Sequence, residues 1–240
     1  MKILAIDTSA TAASVAVMQE DKIIGEFFIN TSLTHSQTLI PMAEQLLKNI
    51  SLTVKDLDAV AVNAGPGSFT GVRIGVAAAK GIAFADDLPC ISVSTLHSMA
   101  YNMLESDCIV CAVMDARCQQ VYNALFRVNG KAVERLTDDR ALSLDDLKRE
   151  LERIDEKIVL VGDGTAITEK YIGGLLSNVS SAPLNKRIQT ASSTAMVASE
   201  MFKEGRTMSS EELMPVYLRL PQAQRELNKR QAVACTRPGR

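Results

Sequence analysis

The stretch 61–85 joins a strand pattern, a glycine-rich turn and the start of a helix, an arrangement that can bind an anion. Gly65, Pro66 and Gly67 predict a tight turn, because glycine permits positive φ and proline fixes φ. Unpaired backbone amides at the helix start, for which Thr70 is the expected N-cap, attract negative charge. No Gly-Lys-Ser/Thr follows, so the stretch differs from a phosphate-binding loop, and a plain strand-to-helix connection is the alternative.

The helix after this turn carries very little charge. Between positions 71 and 85 only Arg73 and Lys80 are charged, which indicates a helix that is covered on two sides. Arg73 lies in the first turn, where a cation opposes the helix dipole. This position indicates an acidic or phosphate partner for Arg73, and an exposed arginine without a partner is the alternative.

The composition is that of a globular protein with an acidic body and a basic end. Of the 240 residues, 47% are hydrophobic, which is ample for a core. From Arg219 onward the net charge is +5, against −7 for the rest of the chain. An acidic body excludes a nucleic-acid binder that acts by itself. The tail 219–240 is predicted to be disordered, with contact to RNA or to an acidic partner as the alternative.

The five cysteines and the first residues of the chain predict a cytoplasmic protein. Five cysteines form no even framework of disulfides, so we interpret them as reduced thiols. Asp7 interrupts the apolar start, and therefore no secretory leader is expected. The longest uncharged run, 88–104, is too short and too polar to span a bilayer.

Hydrophobic periodicity predicts the order βββαβα in two successive halves. In the first half we expect strands at 2–7, 13–18, 22–28 and 58–62, with helices at about 34–50 and 71–85. A strand at 90–93 and a helix at 95–104 lead to the second half, with strands at 109–114, 121–127, 132–137 and 157–161 and helices at 143–152 and 165–172. A helix at 193–202 and a strand near 214–218 complete the prediction. The expected domains are residues 1–105 and 106–218.

A duplicated βββαβα core, with an aspartate after the first strand of each half, is typical of the actin, sugar-kinase and Hsp70-like architecture, a ribonuclease H-like α/β fold. Within it, five short segments resemble the TsaB family, formerly called YeaZ. They are Ile6-Asp7-Thr8-Ser9, His35-Ser36 with Leu39-Ile40-Pro41, the loop and helix start at 65–75, Asp115-Ala116-Arg117 and Pro215-Val216-Tyr217-Leu218-Arg219. The resemblance extends from residue 1 to about residue 221.

The resemblance implies a cytoplasmic, non-catalytic subunit for making threonylcarbamoyladenosine at adenosine 37 of tRNA. The implied partners are the catalytic paralogue TsaD, in a heterodimer, and the ATPase TsaE, and a homodimer is expected in isolation. Contact with tRNA is expected only through the complex, and no membrane contact is expected. ATP and a metal are expected on the partner subunits and none on this chain alone. The alternative functions are a small-molecule phosphotransferase of the same architecture and a glycoprotease-type peptidase.

The resemblance also implies a degenerate cleft between the halves. In nucleotide-binding members of this architecture, a glycine two residues after each aspartate lets backbone amides approach phosphate, and here Ser9 and Arg117 occupy those positions. The two aspartates could still hold magnesium or could cap their own turns. The candidate anion or nucleotide cleft consists of Asp7, Thr8, Ser9, Arg73, Asp115 and Arg117.

The sequence lacks the residues that usually bind a metal or catalyse peptide hydrolysis in related proteins. Aligned with the catalytic paralogue, Thr95 and Met99 stand where that protein has two metal-binding histidines, and His97 lies between them. Cys108 and Cys111 are three apart on a strand, so they point to opposite faces and cannot easily share a metal. The sequence also lacks His-Glu-x-x-His and Gly-x-Ser-x-Gly.

Small residues recur every four positions along the helix at 71–85 and predict a partner interface. A ridge of this kind lets a facing helix come close. The proposed interface residues are Gly71, Val72, Gly75, Val76, Ala79 and Ala83, together with Leu39, Met42, Ala43 and Leu46 of the preceding helix. In this interpretation Ile74, Ala78, Ile82 and Ala85 cover the chain's own sheet. The alternative is that both faces of the helix are buried within one domain.

Overall fold

The computed structural model of the protein describes residues 1–31, 33–172 and 174–219. The first half contains β1 (Lys2–Asp7), β2 (Ala13–Gln19), β3 (Lys22–Ile29), α1 (His35–Asn49), a 3₁₀ turn (Val54–Asp56), β4 (Ala59–Gly65), α2 (Phe69–Phe84), β5 (Cys90–Ser94) and α3 (Thr95–Tyr101). The second half contains β6 (Cys108–Asp115), β7 (Gln120–Asn129), β8 (Ala132–Arg135), β9 (Arg140–Ser143), α4 (Leu144–Leu151), β10 (Ile158–Val161), α5 (Thr165–Ile172), β11 (Val179–Ser181), α6 (Leu184–Arg187) and α7 (Ala191–Lys203).

Each half is built on a mixed sheet of the same topology. The first sheet has the order β3-β2-β1-β4-β5 and the second has the order β11-β10-β6-β7-β8, with β9 also paired to β7. In both, the first strand pairs antiparallel with the second and parallel with the strand that follows a helix. The duplicated α/β fold expected from the sequence is therefore confirmed. We call the first sheet with α1, α2 and α7 the first lobe, and the second sheet with α3, α4 and α5 the second lobe.

Helices cover both faces of each sheet. Helices α1 and α2 pack on the outer face of the first sheet, and α7 packs on its inner face. Helix α3 covers the inner face of the second sheet, and α4 and α5 cover its outer face. Strand β1 shows the cause, since Leu4 and Ile6 contact the outer helices while Ile3 and Ala5 face α7. A strand that is apolar on both sides must be covered on both sides. Among the described residues, no helix is long and apolar enough to cross a membrane.

Two local predictions were wrong. Ser68, and not Thr70, is the N-cap of α2, because its hydroxyl accepts a hydrogen bond from the amide of Gly71 at 3.3 Å. Residues 214–218 form no strand, because no neighbouring strand offers them a ladder of hydrogen bonds. The short elements β9, β11 and α6 are additions that periodicity did not predict. The predicted disorder of the tail concerns Arg219, which the structure describes, and residues 220–240, which lie outside the described ranges.

The small-residue ridge of α2 faces the chain's own sheet, so the predicted assignment of faces was wrong. A Cβ on Gly71 would lie 2.1 Å from the carbonyl oxygen of Thr8, and a Cβ on Gly75 would lie 2.4 Å from the Thr8 hydroxyl. The ridge therefore brings a helix close to the end of β1. All ten residues proposed for the partner interface are buried, namely Leu39, Met42, Ala43, Leu46, Gly71, Val72, Gly75, Val76, Ala79 and Ala83.

This packing predicts opposite effects for two glycines of one helix. Gly75→Ala is expected to lower the free energy of unfolding by about 1–3 kcal/mol, because the new methyl group overlaps Thr8. Gly81→Ala is the matched control, since its Cβ would meet nothing within 4 Å. That change is expected to raise the free energy of unfolding by up to about 1 kcal/mol through helix propensity. Urea unfolding measures both, and equal effects would contradict the packing.

Candidate functional site

A cleft of about 760 Å³ opens between the two lobes. Its walls are formed by the turns after β1 and β6, by the start of α2, and by single residues from β10–α5 and from the last described segment. Its lining includes Ser9, Ser68, Asp115, Arg117, Asp163 and Arg219. The cleft therefore brings together residues that are far apart in the sequence, among them three of the six predicted site residues, Ser9, Asp115 and Arg117.

Asp7 lies buried behind the cleft and uses its carboxylate within the chain. One oxygen accepts the amide of Ser9 at 2.7 Å, and the other accepts the side-chain amide of Asn63 at 2.7 Å. Burial raises the pKa of the Asp7 carboxyl. The hydroxyl of Thr8 donates to the carbonyl of Gly71 at 2.8 Å, which ties β1 to α2. Asp7 therefore caps its own turn, and Thr8 positions a helix.

Asp115 repeats this turn in the second lobe. It accepts the amide of Arg117 at 2.7 Å, and its other oxygen lies 3.3 Å from the guanidinium of Arg117. The Arg117 side chain is 83% exposed, so water and dissolved ions screen its attraction to Asp115 strongly. Each aspartate thus accepts the amide of the residue two positions later, Ser9 in the first lobe and Arg117 in the second. These are the two positions that glycine occupies in nucleotide-binding members of the architecture.

Asp163 is a cleft residue that the sequence prediction missed. It lies between Gly162 and Gly164, directly after β10. The residue is accessible in the open cleft, while surrounding protein, followed by the charges of Asp115 and Asp7, raises its pKa to about 6. The sequence signal for Asp163 was a shared pattern, Gly-x-Gly followed by Ser or Thr, at 65–68 and at 162–165. In the structure the first glycine of each pattern has positive φ.

Arg73 lies outside this acidic group and binds an aromatic partner. Its Nε donates to the hydroxyl of Tyr217 at 2.7 Å, and its guanidinium carbon lies 3.9 Å from the centre of the Phe69 ring. The expected acidic or phosphate partner of Arg73 is therefore replaced by two rings of the chain itself.

The residues considered for metal binding lie in the core. Thr95 and Met99 are fully buried, and His97 stacks on Phe126 with 5.4 Å between ring centres. Burial, followed by the charge of Arg135, lowers the pKa of His97 to about 4. Within the described ranges, no three His, Cys, Asp or Glu side chains are grouped to hold a metal ion.

The two cysteines of β6 lie on opposite faces of the second sheet, as predicted. Cys108 belongs to the inner cluster with α3, and Cys111 belongs to the outer cluster with α4 and α5. Both are buried, and burial raises the pKa of both thiols. They therefore act as small apolar side chains in the core.

A second concavity of about 520 Å³ runs between the outward sides of α1 and α2. We call it the helix groove. It is lined by His35, Ser36, Leu39, Ile40, Ile74, Ala77, Ala78, Gly81 and Ile82. Ile40 is 47% exposed, and Nε2 of His35 lies 2.7 Å from the carbonyl oxygen of Ala10. His35 thus ties the start of α1 to the turn after β1. The groove is the apolar surface that the helix pair leaves uncovered.

Comparison with known proteins points to one family. Residues 24–227 match the family model described as TsaD: tRNA N6-adenosine threonylcarbamoyltransferase. The tRNA threonylcarbamoyladenosine biosynthesis protein TsaB of Bacillus subtilis is 33% identical over 227 residues, which cover 93% of this chain and 96% of that protein. TsaB of Escherichia coli is 32% identical, with coverage of 91% and 95%. The solved structure of YeaZ from Pseudomonas aeruginosa superposes with a TM-score of 0.73 at 26% identity, covering 90% of this chain and 99% of that one.

The raised pKa of Asp163 predicts a pH-dependent effect of Asp163→Asn. Between its unfolded pKa, about 3.8, and its folded pKa, about 6, the folded protein binds more protons than the unfolded chain. Ionised Asp163 therefore costs stability above pH 6, and the cost disappears as the pH falls towards 4. Asp163→Asn is expected to raise the melting temperature at neutral pH and to match the parent protein near pH 4. Asp155→Asn, at an exposed aspartate of the same lobe, is the control, and the same profile there would contradict the assignment.

Proposed function

The chain belongs to the TsaB family of tRNA threonylcarbamoyladenosine biosynthesis proteins, and we propose that it serves this modification as a non-catalytic subunit that docks a paralogue through the helix groove. The role in forming threonylcarbamoyladenosine follows from the family. The proposed paralogue is TsaD, with the ATPase TsaE joining the complex and tRNA meeting this chain only there. The observation that carries the proposal is the apolar groove between α1 and α2, beside a cleft at which Asp7 and Asp115 already hold their own turns.

The cleft supports a subunit that does no chemistry by itself. A Cβ on Gly67 would lie 2.4 Å from the carbonyl oxygen of Ser9, so the turns after β1 and β4 are already in contact. The amide of Ser68 donates to that same carbonyl at 2.6 Å. Asp7 and Asp115 each hold their own turn, which reduces the ligands left for a magnesium nucleotide. We therefore place ATP and the metal on the partner subunits.

The helix groove has the chemistry of a helix-docking surface. Its floor contains the small residues Ala77, Ala78 and Gly81, which allow another helix to approach closely. Ile40, Ile74 and Ile82 supply the apolar area around that floor. A partner helix with larger apolar side chains would fill the groove and remove this area from water. In isolation a second copy of the chain would cover the same patch, and the contact would be isologous.

Ala77→Arg tests the docking surface. The long cation should block the approach of a partner helix, and we expect at least about a tenfold loss of affinity for TsaD together with loss of the homodimer. The matched control is Ala166→Arg, which makes the same change at an exposed alanine of α5. Gly81→Arg is a second groove variant, in which the Cβ meets nothing within 4 Å.

Analytical ultracentrifugation and titration against TsaD measure these variants, with melting temperature as the check on folding. Loss of both contacts in the two groove variants, with the control unchanged, supports the proposal. Normal binding by a folded Ala77→Arg protein would overturn it.

The paired groups of the cleft predict weak binding of ATP to the chain alone. In a calorimetric titration with magnesium and ATP we expect a dissociation constant in the millimolar range or no measurable heat. The crowding at Ser9 and the occupied carboxylates are the physical reason. Micromolar affinity of the isolated chain would contradict this prediction and would favour a phosphotransferase.

A further inference from the structure

The segment 213–219 crosses from the first lobe to the second along the cleft, and we call it the strap. The chain leaves the edge of the first sheet shortly before the strap, at a bridge between Met208 and Cys90. Leu213 is fully buried in the core of the first lobe. Beyond it Met214, Val216 and Tyr217 are 63%, 46% and 40% exposed, so apolar burial holds only the beginning of the strap.

The two charged residues of α2 bind this segment and the residues before it. The ammonium of Lys80 donates to the carbonyls of Glu211 and Leu213 at 3.0 and 3.1 Å. Arg73 donates to the Tyr217 hydroxyl, and the Tyr217 ring packs on Phe69 with 4.8 Å between centres. Arg73 and Lys80, the two charged residues of an otherwise apolar helix, thus hold the strap and the residues before it on α2.

The backbone of the strap also contacts the loop before α2. The amide of Val216 donates to the carbonyl of Ala64 at 2.7 Å. A Cβ on Gly65 would lie 2.3 Å from the carbonyl oxygen of Val216, and Gly65 has a φ of +127°. Glycine at this position lets the strap lie directly against the end of β4.

Arg219, the last described residue of the strap, contacts the second lobe. The guanidinium of Arg219 donates to the carbonyl of Ala116 at 2.6 Å. That carbonyl precedes a turn in which Arg117, Cys118 and Gln119 all have positive φ, at 65°, 55° and 54°. Left-handed backbone costs a non-glycine residue free energy, so this turn persists only while its surroundings hold it. Arg219 and Tyr217 also line the cleft.

We propose that the strap is an interlobe clasp, in which Arg219 on the Ala116 carbonyl is the catch and the Arg73–Tyr217–Phe69 cluster is the anchor. With the catch engaged, the strap holds the strained turn and limits the opening of the cleft. With the catch released, the turn at residues 117–119 relaxes and the cleft opens more easily, while the anchor keeps the strap on the start of α2. Few buried apolar contacts oppose this opening, which places the strap among the locally least stable segments.

Hydrogen exchange of the full chain, followed by mass spectrometry, tests the clasp. The amides of Ala116 and Gln120 are hydrogen-bonded within the strained turn, and the amide of Val216 reports on the strap. Arg219→Ala is expected to accelerate exchange at all three by about tenfold, since a hydrogen bond from a charged donor is lost. Arg219→Lys keeps a cationic donor and is expected to restore part of the protection. Arg206→Ala is the control, at an exposed arginine paired with Glu204.

The anchor supplies an independent arm of the test. Tyr217→Phe keeps the ring on Phe69 and removes the acceptor for Arg73, at a contact with the first lobe that does not involve Arg219. If the strap acts as one unit, this change also accelerates exchange at Ala116 and Gln120 in the second lobe. Unchanged exchange at those two amides in both variants would overturn the proposal. Uniform acceleration across both lobes would also overturn it, because Arg219 would then support the fold generally.

Discussion

The close approach of α2 to the end of β1 is the constraint on which the rest of the first lobe depends. Gly71 and Gly75 leave room for Thr8, whose hydroxyl donates to the Gly71 carbonyl. This contact sets the depth of the helix, and therefore which of its faces is buried and which is open. It also places the start of the helix beside the Asp7 turn, where the cleft begins.

Duplication explains why Asp7 and Asp115 use their carboxylates in the same way, within the turns that border the cleft. Asp7 and Asp115 end equivalent strands, and each accepts the amide two residues later at 2.7 Å. Asp163 adds a third carboxyl whose raised pKa reflects its neighbours and its partial enclosure. Because Asp7 and Asp115 accept amides of their own turns, these carboxylates fix the shape of the turns that border the cleft.

The outer surface of α2 serves two purposes on adjacent sides. One side carries Arg73 and Lys80, which hold the last described segment of the chain. The neighbouring side carries Ala77, Ala78 and Gly81, which form the floor of the helix groove. The division follows from the helical period, since Arg73 and Lys80 lie two turns apart on one stripe while Ala77, Gly81 and Ala78 follow progressively further around the helix. A single apolar helix thereby connects the sheet, the strap and the proposed docking surface.

The sequence by itself determined the main strands of both sheets, the duplicated order, the aspartate at the end of β1 and β6, and the opposite orientation of Cys108 and Cys111. These follow from local periodicity, which an isolated segment already expresses. Only the tertiary structure decided which face of α2 is buried, because a ridge of small residues suits close approach to a sheet as well as to a helix. It also decided that Arg73 binds Tyr217, which is 144 residues away in the sequence. It likewise decided the place of Asp163, which follows Asp115 by 48 residues. Contacts over such separations depend on how the lobes pack, and no local pattern encodes them.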